Sequence, residues 1–251
     1  MKRYMQSSYG VLSFILFLIG WEIVALVVDN SLLFPNLIDI STALKNIVIG
    51  ENFVYTIWNT LSRLFLGIFF AIICSVILGT LSYRYEIVNI LLRPFTIFLR
   101  AVPTITIIIL VLIWSSTQRV PIVVGFLILF PILYEGILGG LNGVDRNLLN
   151  MSKVFKVKLT RIIKDIYIPS VYYHISSNIP SYIGLTFKVI IAGEVLSQEN
   201  LSIGGEIFIN KIYLESSNIF AWIIIIIVLN YILEQSLKAF NNKVCRWQKC
   251  K

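Results

Sequence analysis

The chain has 251 residues, of which 57% are hydrophobic and 14% charged, and its mean hydropathy is +0.85. That balance leaves too little polar surface to cover a soluble globule and puts the chain among integral membrane proteins. The net charge of +8 fits an anionic inner leaflet, and nucleic acid is not needed to explain it.

Crossing about 30 Å of hydrocarbon takes roughly 20 predominantly apolar residues in a helix. Apolar runs of this kind occupy 11–28, 58–82, 88–114, 120–141, 170–195 and 218–239. The sequence therefore predicts an all-α, polytopic membrane protein with about six transmembrane helices. Runs such as IIIIIVL are rich in β-branched residues, but a span in lipid must satisfy its own backbone hydrogen bonds and so reads as helix. The alternating polarity of a β-barrel is not visible. The first run follows Lys2 and Arg3, contains Trp21 and Glu22 and is not followed by a small-x-small cleavage signature, so it reads as a retained anchor. The N-terminus, 83–87, 142–169 and 238–251 hold fourteen Lys and Arg residues, whereas 29–57, 115–119 and 196–217 hold three. By the positive-inside rule both termini are cytoplasmic. Cys74, Cys245 and Cys250 have no metal-ligand company in the sequence and read as ordinary reduced thiols.

Within the second span Gly67, Ala71, Ser75 and Gly79 recur every four residues and stack small side chains on one helix face. Such a stripe receives another backbone, either inside the subunit or across a dimer. Gly136 and Gly140, with Gly139 and Gly143 on the next face, do the same near the inner end of the fourth span. Ionisable residues inside a membrane are costly unless paired, wetted or near a headgroup. Glu22, Arg63, Arg100, Glu135, Lys188 and Glu194 each need an account on that ground. The first four lie near span ends. Lys188 and Glu194 are six apart, on different faces of one helix, so they do not pair with each other. Glu194 either faces a cavity or partner helix or joins a buried ion pair with another span.

The loop between the fourth and fifth spans is the most basic. In it Leu148, Met151, Phe155, Leu159, Ile162 and Ile166 follow the spacing of one helical face, while Lys153, Lys156, Arg161 and Lys164 fall largely elsewhere. Pro169 falls where the next span begins. An amphipathic cytoplasmic segment of this kind either lies on the inner leaflet or presents itself to a soluble partner.

The stretch from Asn150, Met151 and Ser152 through Lys156 to Ile168 and Pro169 is similar to the EAA loop of ABC-importer permeases. That motif is a Glu-Ala-Ala run, a Gly four residues beyond the second Ala, and a closing hydrophobic-Pro pair. Asn150 stands where the motif has Glu, Ser152 where it has Ala, and Lys156 where it has the Gly that permits a left-handed turn. The segment either continues as helix here or turns differently. WEIVALVVDNSLLFPNLIDISTAL, TLSRLFLG, LRPFTIFLRAVP, LFPIL, GLNGVDRNLL, AGEVLS and IGG recur, in order, in the nitrate, sulfonate and taurine branch. The resemblance covers essentially residues 11–247.

The resemblance implies a permease subunit of an ATP-driven, binding-protein-dependent importer in a bacterial cell membrane. It implies an anchor and extracellular segment over 1–57, a transmembrane core over 58–241 with the EAA-like loop at 142–169, and a cytoplasmic tail over 242–251. The expected partners are cytoplasmic ABC ATPase subunits, an extracellular substrate-binding protein, a second permease copy, and membrane lipid. Asn150, Met151, Ser152, Lys153, Val154, Phe155, Lys156, Leu159 and Pro169 would couple to the ATPase; Glu194, Lys188, Arg63, Arg100 and Glu135 are candidates for the pathway or its gate. The chain has no G-x-x-x-x-G-K-[ST] cradle, so ATP and Mg would be bound by the partner ATPase, and no cofactor, metal or catalytic residue is expected in this chain. A membrane enzyme would want a nucleophile-base pair or zinc ligands, and the single His174 in VYYHI offers neither. A secondary transporter or channel would show an internal repeat or interrupted helices with ion-liganding groups, and no repeat is visible.

Overall fold

The computed structural model describes residues 2–176 and 178–244. The tail cysteines Cys245 and Cys250 lie outside the described residues. The described chain is all-α. It opens with α1 (Lys2–Val28) and α2 (Leu37–Ile49), then α3 (Phe53–Arg84), α4 (Glu86–Ala101), α5 (Thr104–Trp114) and α6 (Val120–Asn142). The short α7 (Arg146–Val154) and α8 (Leu159–Ile162) follow, with a π-helical turn at Ile163–Tyr167 leading into α9 (Ile168–Ser176). Then come α10 (Ile179–Ser197), α11 (Ile203–Ile212) and α12 (Ser216–Val244).

Among the described residues, four helices are long and apolar enough to span a bilayer: α3, α6, α10 and the Ser216–Ala239 part of α12. The α4–α5 pair would make a fifth, and α1 contributes a shorter apolar stretch at Ile15–Val28. Three sequence expectations change in detail. The run 88–114 is not one straight span: it breaks at Val102 and Pro103, with a bend of 108°. Val102 is extended (φ −77°, ψ 132°), as the residue before a proline tends to be. Pro103 then has no N–H with which to continue the ladder. The run 170–195 likewise divides, into α9 and α10, with Pro180 in the first turn of α10. Pro169 does not open a span. It lies inside a helical run from Leu159 to Ser176, and the N–H of Ile168 reaches back five residues to the Ile163 carbonyl. Proline cannot donate to the carbonyl four residues back, and a π turn just ahead of it absorbs the mismatch.

The packing centres on α6. The stripe of α3 lies against α6 of the same chain: a Cβ on Gly67 would stand 3.2 Å from the Ile122 carbonyl oxygen, and one on Gly79 would stand 3.0 Å from Ile137 Cγ2. Between them the Ser75 hydroxyl donates to the Phe130 carbonyl at 3.0 Å, so the polar group is satisfied while the backbones stay close. On its other flank α6 meets α9 and α10, where a Cβ on Gly140 would lie 2.6 Å from Val171 Cα. Outside this layer Leu64, Phe187, Ile190, Ile203 and Trp222 join α3, α10, α11 and α12 in one apolar cluster. Helix α1 is tied by the aromatic set Trp21, Phe34 and Phe220. Trp21 Nε1 also donates to the Pro35 carbonyl at 3.1 Å, and Glu22 accepts from the Leu37 N–H at the start of α2.

Candidate functional site

Asp145 caps α7 by accepting from the Asn147 N–H at 2.8 Å. The helix stops two turns later, and it stops in neither of the two ways expected from the sequence. Lys156 adopts a left-handed backbone, φ 47°. The Lys156 N–H bonds the Lys153 carbonyl at 3.1 Å and the Val157 N–H bonds the Ser152 carbonyl at 2.9 Å. These paired bonds close a helix by the Schellman pattern, which usually has glycine at the left-handed position. Lys156 therefore makes the turn that the motif's Gly would make, and the apolar face does not run on as one helix. Ser152 is buried and donates to the Leu149 carbonyl. Asn150, Met151, Lys153, Val154, Phe155 and Leu159 are exposed. Val154 at 78% and Phe155 at 73% stand out from the surface as an apolar knob. Behind it the Ser170 hydroxyl of α9 donates to the Gly140 carbonyl of α6 at 2.7 Å. The Tyr83 and Tyr167 hydroxyls lie 3.2 Å apart, linking the end of α3 to the π turn. That hydrogen bond, with burial, pushes the Tyr167 phenol up to about 12.

In the N-terminal third of α3 the structure brings together two candidate charges that are 131 residues apart in sequence. Glu194, fully buried, places Oε1 2.9 Å from Arg63 Nη1. Its Oε2 accepts from Thr60 Oγ1 at 3.0 Å and from the Gly204 N–H at 3.1 Å. Arg63 holds a second carboxylate, Glu199, also at 2.9 Å. A Cβ on Gly204 would fall 2.4 Å from Glu194 Cβ, so only glycine fits there. The AGEVLS and IGG fragments thus form one locus. Thr60 and Glu199 complete it, and the sequence reading missed both. Thr60 lies three residues before Arg63, hence on its face, a signal that was available; Glu199 follows the helix end and gave none.

Arg100 and Glu135 pair with each other across α4 and α6 at a half-exposed position. Lys188 is exposed on α10, and no ionic partner reaches it among the described residues. Among the same residues no group of three or more His, Cys, Asp or Glu is placed to hold a metal ion.

A family described as "Binding-protein-dependent transport system inner membrane component" matches residues 64–246. The chain belongs to this family. The matched stretch begins at Leu64, the residue after Arg63 in α3, and runs past the end of α12, so it takes in the turn at Lys156, Glu194 and the α6 packing layer. Relatives of the inner membrane component agree in extent. A probable ABC transporter permease of Brucella abortus is 22% identical over 240 residues, 95% of each chain. A putative aliphatic sulfonates transport permease, SsuC of Bacillus subtilis, is 20% identical over 91% of this chain and 83% of its own. In three dimensions the chain is similar to a solved chain titled as an amino acid ABC transporter with histidines. The TM-score is 0.61 at 12% identity, covering 78% of this chain and 93% of that one. The chain is an ABC transporter permease with the all-helical membrane fold.

Proposed function

We propose that this permease pairs with a second copy of itself to form the pathway of an ATP-driven importer of a small solute of the nitrate, sulfonate, taurine or thiamine-precursor type. Two cytoplasmic ABC ATPase subunits bind ATP and Mg, and an extracellular binding protein delivers the solute. The chain performs no catalysis itself. Both termini and the 142–169 loop are cytoplasmic; residues 58–241 are the moving core and 1–57 its anchor.

The observation that carries this reading is the turn at Lys156, which leaves Val154 and Phe155 exposed at the end of α7. A loop resting on headgroups would bury such side chains in lipid and present its lysines; a coupling element inserts them into a cleft on a partner. The ATPases closing on ATP would then push on α7, and the push would pass through α9 to α6 and through Tyr167 to α3. SsuC's sulfonate label supports a solute of that class.

Burying one aromatic side chain contributes about 1.5–3 kcal/mol, so Phe155→Ala should weaken ATPase co-purification and abolish uptake with topology intact. Neutralising Lys153, Lys156 and Lys158 together should do less harm and make binding more sensitive to salt. Full ATPase binding and uptake in Phe155→Ala, with no cross-link from a cysteine at that position to the ATPase, would remove the coupling assignment.

A further inference from the structure

Neither the packing nor the coupling turn accounts for Lys188. Among the described residues it is the one charged side chain in the interior of the four long apolar helices with no ionic partner. Arg63 pairs with Glu194, Glu135 with Arg100, and Glu234 with Lys238. Lys188 lies nine residues from each end of α10, about 13 Å along the axis either way. A lysine stem reaches roughly 6 Å and cannot carry the ammonium to the headgroups by snorkelling. Nor is the side chain folded back into the protein: Ser181, Leu185, Lys188, Ala192 and Leu196 form the exposed stripe of α10, whereas Ile190, Ile191 and Gly193 are buried on the others. A bare ammonium at that depth is costly against acyl chains and is normally found facing a bundle interior or water.

We propose that this stripe of α10 lines an aqueous pathway and that Lys188 sets its charge preference, favouring solutes that carry a sulfonate, carboxylate or comparable oxyanion. The proposal rests on the importer reading above and narrows it. Selection would then have a second stage in the permease, after the binding protein. The ammonium is a compact charge with three donors and no acceptor. In a narrow passage with low-dielectric walls it concentrates anions and repels cations. The acids of the neighbouring spans leave it uncancelled, because Glu194 and Glu199 are held by Arg63, and Glu135 by Arg100.

The test does not require the solute to be known. In the full complex, with the native cysteines replaced by serine, a single cysteine is placed at Leu185 or at Ala192, within one turn of Lys188. Its rate of modification is measured with an anionic reagent, 2-sulfonatoethyl methanethiosulfonate, and with the cationic 2-(trimethylammonio)ethyl counterpart. Both should react, and the anionic-to-cationic rate ratio should fall by about tenfold when Lys188→Gln is added, while Lys188→Arg keeps it. No reaction with either reagent would mean the face is sealed by lipid or protein and would overturn the proposal. A ratio unchanged by Lys188→Gln would overturn it too, because the face would be wet without Lys188 setting its preference. The importer reading fails separately, if no ATPase subunit co-purifies with the chain.

Discussion

At the level of single residues, two positions carry a measurable load. Lys156 holds a left-handed backbone, which costs a side-chain-bearing residue on the order of 1 kcal/mol relative to glycine. Lys156→Gly should therefore stabilise the purified permease by about 0.5–1 kcal/mol, and Lys156→Val should destabilise it, both read as shifts in the thermal unfolding midpoint. Equal midpoints for the three proteins would mean that the turn relaxes at no cost. Glu194 is the second position. Removing one partner of a buried ion pair costs about 3–5 kcal/mol, because the other charge remains desolvated. Glu194→Gln should show a loss towards the low end of that range, since Arg63 keeps Glu199. Combining it with Arg63→Gln should be less damaging than the sum of the two single changes; strict additivity in that double-mutant cycle would deny the coupling. The sequence shows Arg63 and Glu194 as two charges needing an account, but not that they meet. Their contact is set by how α3, α10 and α11 pack, and only the Thr60 to Arg63 spacing hints at a shared face.

At the level of helices, what lipid dictates was legible and what proline dictates was less so. The apolar runs are read correctly as helix because a bilayer leaves the backbone no other economical choice. The breaks at Val102 and near Asn178 are hidden inside runs whose hydropathy barely changes across them. Pro103 and Pro180 are visible, yet many membrane helices accept a proline, so its presence does not say whether the chain kinks or turns through 108°. The small-residue stripe was legible as a contact, and its partner was not: spacing on α3 is silent on whether α6 or another subunit receives it. With α6 of the same chain in place, Gly67→Leu would drive a side chain into the Ile122 carbonyl, 3.2 Å from the new Cβ. Overpacking of that kind costs about 1–3 kcal/mol. The variant should insert normally but lose protease resistance in membranes, and undiminished resistance would show that α3 and α6 can separate without penalty.

At the level of the whole molecule, the proposed orientation rests on loop charge. Cysteines placed at Lys45 and at Asn200, the exposed neighbour of buried Ser202, should be labelled from outside intact cells by an impermeant maleimide, and one at Lys158 should not; external labelling at Lys158 would invert the arrangement. With that orientation Arg63 lies towards the outer surface and Arg84 towards the inner. The clamp of Arg63 on Glu194 and Glu199 fixes α3 about one third of the way along its length. From Arg63 the helix runs roughly 31 Å inward to Arg84 and about 15 Å outward to Phe53. If α3 and the α6 layer packed on it rock together, as the proposed function requires, that salt bridge is placed to act as a fulcrum between unequal arms. In that proposal, movement applied at Tyr83 would reach Phe53 reversed in direction and about halved in distance, by the ratio of the two arms. A loosened fulcrum would let the same stroke be lost as slack before it reached the outer mouth.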